Sequence, residues 1–217
     1  MSIVVRTLSE QVFEIVREQI VTGKLPGNAP IRQDALASEL GVSKIPLREA
    51  LARLEQEGLL SSHANRGYAV RPMSAEQAEE IFALRLSIEP QAAAYAATIA
   101  DDADRDGARI AFEELDSAAG ERLAEVAVRN RVFHTALVRP GRRLLTTQLV
   151  ERLAILAERY VVAHLQPAGR EDRAHLEHRQ LLEAWLARDE GLMATLLASH
   201  IQSTLTDLRG QLGASSY

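Results

Sequence analysis

The sequence predicts a mainly α-helical protein, with an N-terminal winged helix-turn-helix that carries a small β wing and a C-terminal all-α helical bundle. Three observations predict it. Residues 36–68 read as helix, tight turn, helix and hairpin; from residue 74 onward the apolar residues recur at helical spacing; and charge is divided between the two parts. Through Pro72, nine Lys/Arg stand against eight Asp/Glu, a net of +1, whereas residues 73–217 hold sixteen against twenty-two, a net of −6. The expected organisation is therefore two domains, 1–72 and 73–217, each long enough to bury a core.

In the first domain, Leu36 and Leu40 mark an apolar stripe and Gly41 supplies the backbone freedom for a tight turn. Ser43 is the expected N-cap of the next helix, which begins near Lys44. Pro46 is tolerated there because first-turn amides have no intrahelical acceptor. Leu47, Ala50, Leu51 and Leu54 share one face, which leaves Lys44 and Arg48, one turn apart, on the other. After Gly58 the period changes, and Tyr68 and Val70 alternate with Ala69 and Arg71, as in a short hairpin. Its polar tip holds His63, Asn65, Arg66 and Gly67. A helix with cations near its N-terminus suits the DNA major groove, and the hairpin tip suits phosphate or the minor groove. The same Lys/Arg spacing also describes a solvated helix face.

These residues carry a resemblance. Residues 8–72 resemble the DNA-binding domain of GntR-family transcriptional regulators, through GKLPG at Gly23 to Gly27, LASELGVSKIPLREAL at Leu36 to Leu51, EGLL at Glu57 to Leu60 and RGYAV at Arg66 to Val70. The resemblance implies that Arg32, Ser43, Lys44, Arg48, His63, Asn65, Arg66 and Gly67 face double-stranded operator DNA. Two positions depart from the pattern. Ile45 stands where a small hydroxyl residue is usual, and Asp34 where some members carry a DNA-contacting arginine; both bear on operator sequence and affinity, not on fold.

The absence of cysteine excludes disulfides and thiolate metal sites. The first twenty residues mix Glu10, Arg17 and Glu18 with spaced apolars, and no run approaches membrane-spanning length, so a soluble, cytoplasmic protein without membrane partners is expected. An acidic total leaves room for DNA binding through local cations, at a salt-sensitive site, and argues against non-specific coating of DNA.

In the second domain, a long helix is expected from Ser74 to about Ala100, with Ser74 and Gln77 in a capping-box pattern and Asp101 and Asp102 in the following turn. Further helices are expected near 104–118, 121–138, 142–165, 170–188 and 190–212, separated by Gly120, Pro140-Gly141 and Pro167-Ala168-Gly169, with residues 213–217 frayed. His134, His178 and His200 fall on three different helices, and Asn130 precedes His134 by one turn. An amide oxygen and an imidazole on one face can share an ion, although spacing alone fits hydrogen-bonded core or surface histidines better. His164 and His175 are expected to be solvated near a loop, and Trp185 to anchor the core.

The pattern Asn130-x3-His134, His178, His200 is similar to the FCD ligand-binding domain of the FadR-type branch, over roughly residues 75–210. That resemblance implies a divalent cation, with zinc, nickel or manganese as candidates, held by Asn130, His134, His178 and His200, with a small carboxylate effector beside it. Asn130 replaces the more usual Asp, keeping an oxygen but removing a charge. Arg85 matches an arginine used near the effector, where its guanidinium could grip a carboxylate; an intrahelical pair with Glu89 fits the spacing equally well.

The expectation is a homodimeric, ligand-responsive repressor that performs no catalysis. A metal-dependent hydrolase or lyase with an accessory DNA-binding-like domain is the alternative from another class, disfavoured by the absence of HExxH and of a carboxylate at general-base spacing beside the histidines. A DNA-organising protein is opposed by the acidic total.

Overall fold

A computed structural model of the 217-residue chain describes residues 7–63, 67–118, 123–167 and 169–214. The chain divides into two compact units, Met1–Met73 and Ser74–Tyr217.

The first unit contains α1 (Leu8–Val21), α2 (Gln33–Leu40), α3 (Lys44–Gln56) and a hairpin of β1 (Leu60–His63) and β2 (Gly67–Val70). Helix α1 opens with a capping box in which Thr7 and Glu10 each accept the other's backbone N–H. Gly41 ends α2 at φ 66°, a left-handed conformation in which a Cβ would be strained, and the chain turns directly into α3. Ser43 occupies the N-cap position of α3, but its side chain makes no capping hydrogen bond, which corrects the expected role of its hydroxyl. The apolar face of α3 is as expected: Leu47, Ala50, Leu51 and Leu54 are all buried, against Val12, Phe13, Val16 and Ile20 of α1 and against Leu36, Leu59, Leu60 and Val70. The strands pair antiparallel with Leu60 opposite Val70 and His63 opposite Gly67, so these last two close the ladder and flank the loop rather than forming its tip.

The second unit contains α4 (Ala75–Ile99), α5 (Asp102–Ser117), α6 (Leu123–Val138), a single 3-10 turn (Arg139–Gly141), α7 (Leu144–Leu165), α8 (Arg170–Leu186) and α9 (Glu190–Ala214). Ser74 caps α4 by accepting from the Gln77 N–H, while Ser74's own N–H donates to the Tyr160 hydroxyl and that hydroxyl donates to Gln77 Oε1. Tyr160 thus takes the place of the reciprocal arm of the expected box and ties α7 to the start of α4. Asp101 is not a loop residue but the N-cap of α5, in a capping box with Asp104. Helix α4 lies along α9, α6 packs between α5 and α7, and α8 pairs with α9. Small residues Ala92, Ala93, Ala94, Ala96 and Ala97 are fully or nearly buried on α4 and let its neighbours approach closely. Trp185 is 1% exposed, and its indole N–H donates to the Leu137 carbonyl at 2.9 Å, an anchor between α8 and the end of α6.

Candidate functional site

Two groups of residues carry chemistry, one in each unit. In the first, the N-termini of α2 and α3 lie side by side. Arg32 is exposed at the N-cap of α2, and Lys44, Ile45 and Arg48 are exposed on the first turns of α3. Lys44 Nζ lies 2.5 Å from Asp34 Oδ1, and Arg48 Nε donates to Gln33 Oε1 at 3.4 Å. Gly67, with φ 75°, has space for a Cβ only as far as the Gln33 amide, which would stand 3.6 Å away. The start of α2, the start of α3 and the base of the wing therefore share one polar surface. Asn65 and Arg66 lie outside the described residues, as does the side chain of His63.

In the second unit, His134 on α6, His178 on α8 and His200 on α9 converge, with one ring nitrogen of each within 4.8 Å of the others. His134 stacks on His200 with ring centroids 5.3 Å apart and stands edge-on to His178 at 5.4 Å; His178 and His200 are 4.7 Å apart. Both nitrogens of His134 and Nε2 of His178 are buried without a hydrogen-bond partner. Such orphaned polar atoms are costly unless something binds them. Burial, reinforced by the charges of His200, Arg85 and His178, holds His134 well below the ordinary histidine range; burial, with His200, His175, Arg85 and His164, does the same to His178. Neutral imidazoles with open lone pairs are the form that ligates a divalent cation, and nitrogen donors suit zinc or nickel. The donor set thus fits the metal that the resemblance implied.

A cavity of about 50 Å³, room for a few water-sized occupants, adjoins the cluster. Arg85, Asn130, His164, His175, His178 and His200 line it, with apolar walls from Phe112, Val126, Val161 and Ile201. His134 is buried and is not among the lining residues. Arg85 is paired with Glu89, Nε to Oε1 at 2.6 Å and Nη2 to Oε2 at 3.1 Å, and both residues are buried. The intrahelical pair is therefore formed at the cavity wall, and Nη1 is the guanidinium nitrogen that this pair does not use. Glu89 Oε2 also lies 3.7 Å from His134 Nδ1.

His164 is buried rather than solvated, whereas His175 is half-buried and keeps part of its ring in solvent. His164 is 4% exposed, with Arg170 donating to its Nδ1 at 3.2 Å and Asp207 3.5 Å away. Burial, opposed by Asp207 but aided by Arg170, Arg173 and His200, takes it down to about 4. Asp207 on α9 binds both Arg170 and Arg173, which draws the start of α8 onto α9 and encloses His164. His175 Nδ1 lies 2.7 Å from Asp116 Oδ1, and its Nε2 accepts from Arg179 Nη2 at 3.0 Å. Sequence reasoning also missed Glu177, whose Oε2 lies 2.6 Å from His200 Nδ1. No spacing signal could reveal it, because the contact joins α8 to α9 and exists only once those helices pair.

Residues 80–203 match the FCD domain, and residues 8–70 match the bacterial regulatory proteins of the gntR family. The chain belongs to the GntR family. Its FCD domain places it in the FadR-type branch. It is 30% identical over 216 residues to an uncharacterised HTH-type transcriptional regulator BphR of Paraburkholderia xenovorans (strain LB400), covering 94% of this chain and 86% of that one. It is also 30% identical to the HTH-type transcriptional repressor GlaR of Escherichia coli (strain K12), covering 87% and 90%. The solved structure of E. coli McbR/YncC shares the fold, with a TM-score of 0.77 at 24% identity over 95% of this chain and 99% of that one. This GntR-family chain is thus a transcriptional regulator and not an enzyme, in a family that binds operator DNA and small-molecule effectors. Among the described residues, no helix is long and apolar enough to cross a membrane.

Proposed function

We propose that the regulator works as a homodimeric repressor whose helical unit holds a divalent cation on His134, His178 and His200, with Asn130 as an oxygen donor, and binds a small carboxylate between that cation and Arg85. The observation that carries this reading is the meeting of three buried imidazoles from three helices beside a cavity that Arg85 and Asn130 also line. When bound, the cation supplies a Lewis-acidic point for a carboxylate oxygen. Arg85 supplies a second anchor through its remaining Nη1, and the apolar walls exclude water. The cavity as it stands admits only a few waters, so an effector larger than a carboxylate group must spread α8 from its neighbours. That differential fit is what allows a ligand to shift the protein between states.

Repression is favoured because GlaR and the probable D-xylose utilization operon transcriptional repressor of Paenarthrobacter nicotinovorans are named as repressors among the relatives. A dimer is favoured because two recognition helices match two half-sites of a near-palindromic operator. On this reading Arg32, Ser43, Lys44, Arg48 and the wing meet the DNA.

The test is elemental analysis of tag-free protein purified without chelators. About one divalent metal per chain is expected, with reduced occupancy in His134→Ala, His178→Ala and His200→Ala. In the same samples, calorimetric screening of small mono- and dicarboxylates should find an acid whose binding weakens in Arg85→Lys, since an ammonium lacks the guanidinium fork. Lysine is the better probe than alanine, because Arg85→Ala leaves Glu89 as an uncompensated buried charge, costing about 3–5 kcal/mol of stability. Wild type that holds no metal and takes up neither zinc, nickel nor manganese contradicts the reading.

A further inference from the structure

Three imidazoles and one carboxamide make a donor set with no negative charge, so a dication placed there needs an anion nearby or bears the full desolvation cost of burial. Among the described residues, two carboxylates stand within 4 Å of the clustered rings, and Glu171 lines the adjoining cavity. Glu89 lies 3.7 Å from His134 Nδ1, but both its oxygens are committed to Arg85 and its charge is cancelled inside the protein. Glu177 is placed differently. Its Oε2 is 2.6 Å from His200 Nδ1, and its nearest cation, Arg173, stands 3.6 Å away on the other oxygen and is shared with Asp207.

A carboxylate can only accept, so the His200 nitrogen facing Glu177 must carry the proton, and the ring's free lone pair is then on Nε2. That lone pair is the one left for an ion, because Nδ1 is already engaged. We propose that Glu177 is the positioning residue of the metal centre: it locks His200 with Nδ1 protonated and Nε2 available, and through that ring it supplies the negative charge that the direct donors lack. This inference rests on the metal reading above. It adds a residue that the donor set does not contain and that sits beside His178 in sequence while acting on His200. The plain alternative is an interhelical tie between α8 and α9 without consequence for the ion.

The experiment measures zinc affinity of the full-length protein by competition with a chromophoric chelator. Glu177→Gln keeps an oxygen that can accept from Nδ1–H and removes only the charge; Glu177→Leu removes both. Zinc binding should weaken about 10-fold in the first and about 100-fold in the second, the span over which partners of ligating histidines act. Asn130→Asp, added to Glu177→Gln, should regain most of the loss by restoring an anion at the cavity. Nitrogen NMR of the histidine rings in metal-free wild type needs no variant to fold, and it should show His200 protonated at Nδ1. Variants that bind zinc as tightly as wild type, a double variant that regains nothing, or His200 protonated at Nε2 each overturn the proposal while leaving the metal reading in place. Wild type that takes up no zinc, nickel or manganese overturns the metal reading itself and this inference with it.

Discussion

Lys44 begins α3 with its ammonium held by Asp34, and Arg48 begins the next turn with its guanidinium turned to Gln33. Both cations are exposed, so both contacts are exchangeable for phosphate or base edges at small cost. Asp34 is the residue that decides how much of Lys44's charge DNA can use. Asp34→Asn should therefore tighten operator binding and steepen the fall of affinity with salt by about one counterion, measured by titration at several salt concentrations. Arg48→Ala should cost about 1–3 kcal/mol on the operator and less on random DNA if the guanidinium reads a base. Unchanged binding in a Lys44→Ala/Arg48→Ala double variant at matched salt contradicts the assignment. The residues of this face were legible in the sequence as a polar set opposite Leu47, Ala50, Leu51 and Leu54. The Asp34–Lys44 pair was not, because it depends on the angle at which Gly41 sets α2 against α3.

At the scale of elements, the apolar periodicity and the Gly/Pro breaks gave helices α3 to α9 within a few residues, since burial of a stripe and loss of an N–H are local properties of the chain. Environments set between helices were hidden. His164 sits near the end of α7, where solvent is the natural guess, yet Asp207 from α9 gathers Arg170 and Arg173 over it. That enclosure has a consequence for pH. His134, His164 and His178 are all held below the unfolded value of about 6.5, so below that pH the unfolded chain binds protons that the fold refuses. Stability should therefore be full above about pH 6.5 and decline as pH falls toward about 4, the value reached by His164. Thermal midpoints in chelator between pH 7.5 and 4.5 should fall accordingly, and His164→Gln should flatten part of the slope. A bound cation should leave over the same range, because protons and metal compete for the same lone pairs. A midpoint independent of pH contradicts the buried, neutral state of these rings.

For the whole molecule, a regulator must couple the helical unit to the DNA-binding unit, and the coupling free energy is the same read from either end. His134, His178 and His200 converge from α6, α8 and α9 beside a cavity that Arg85 lines, which is where, on the proposed reading, a cation and an acid would meet. The sequence supplied the four candidate ligands, Arg85 and the i,i+4 spacing of its pair with Glu89; it was silent on the cavity size and on Glu177, both of which arise from packing. The most direct measurement is an operator titration of metal-loaded protein with and without a carboxylate found by calorimetry, paired with titration of that acid into free and operator-bound protein. The account predicts that the acid lowers operator affinity, that operator lowers acid affinity by the same factor, and that both effects vanish in His200→Ala. An acid that binds at the metal while operator affinity stays the same contradicts it.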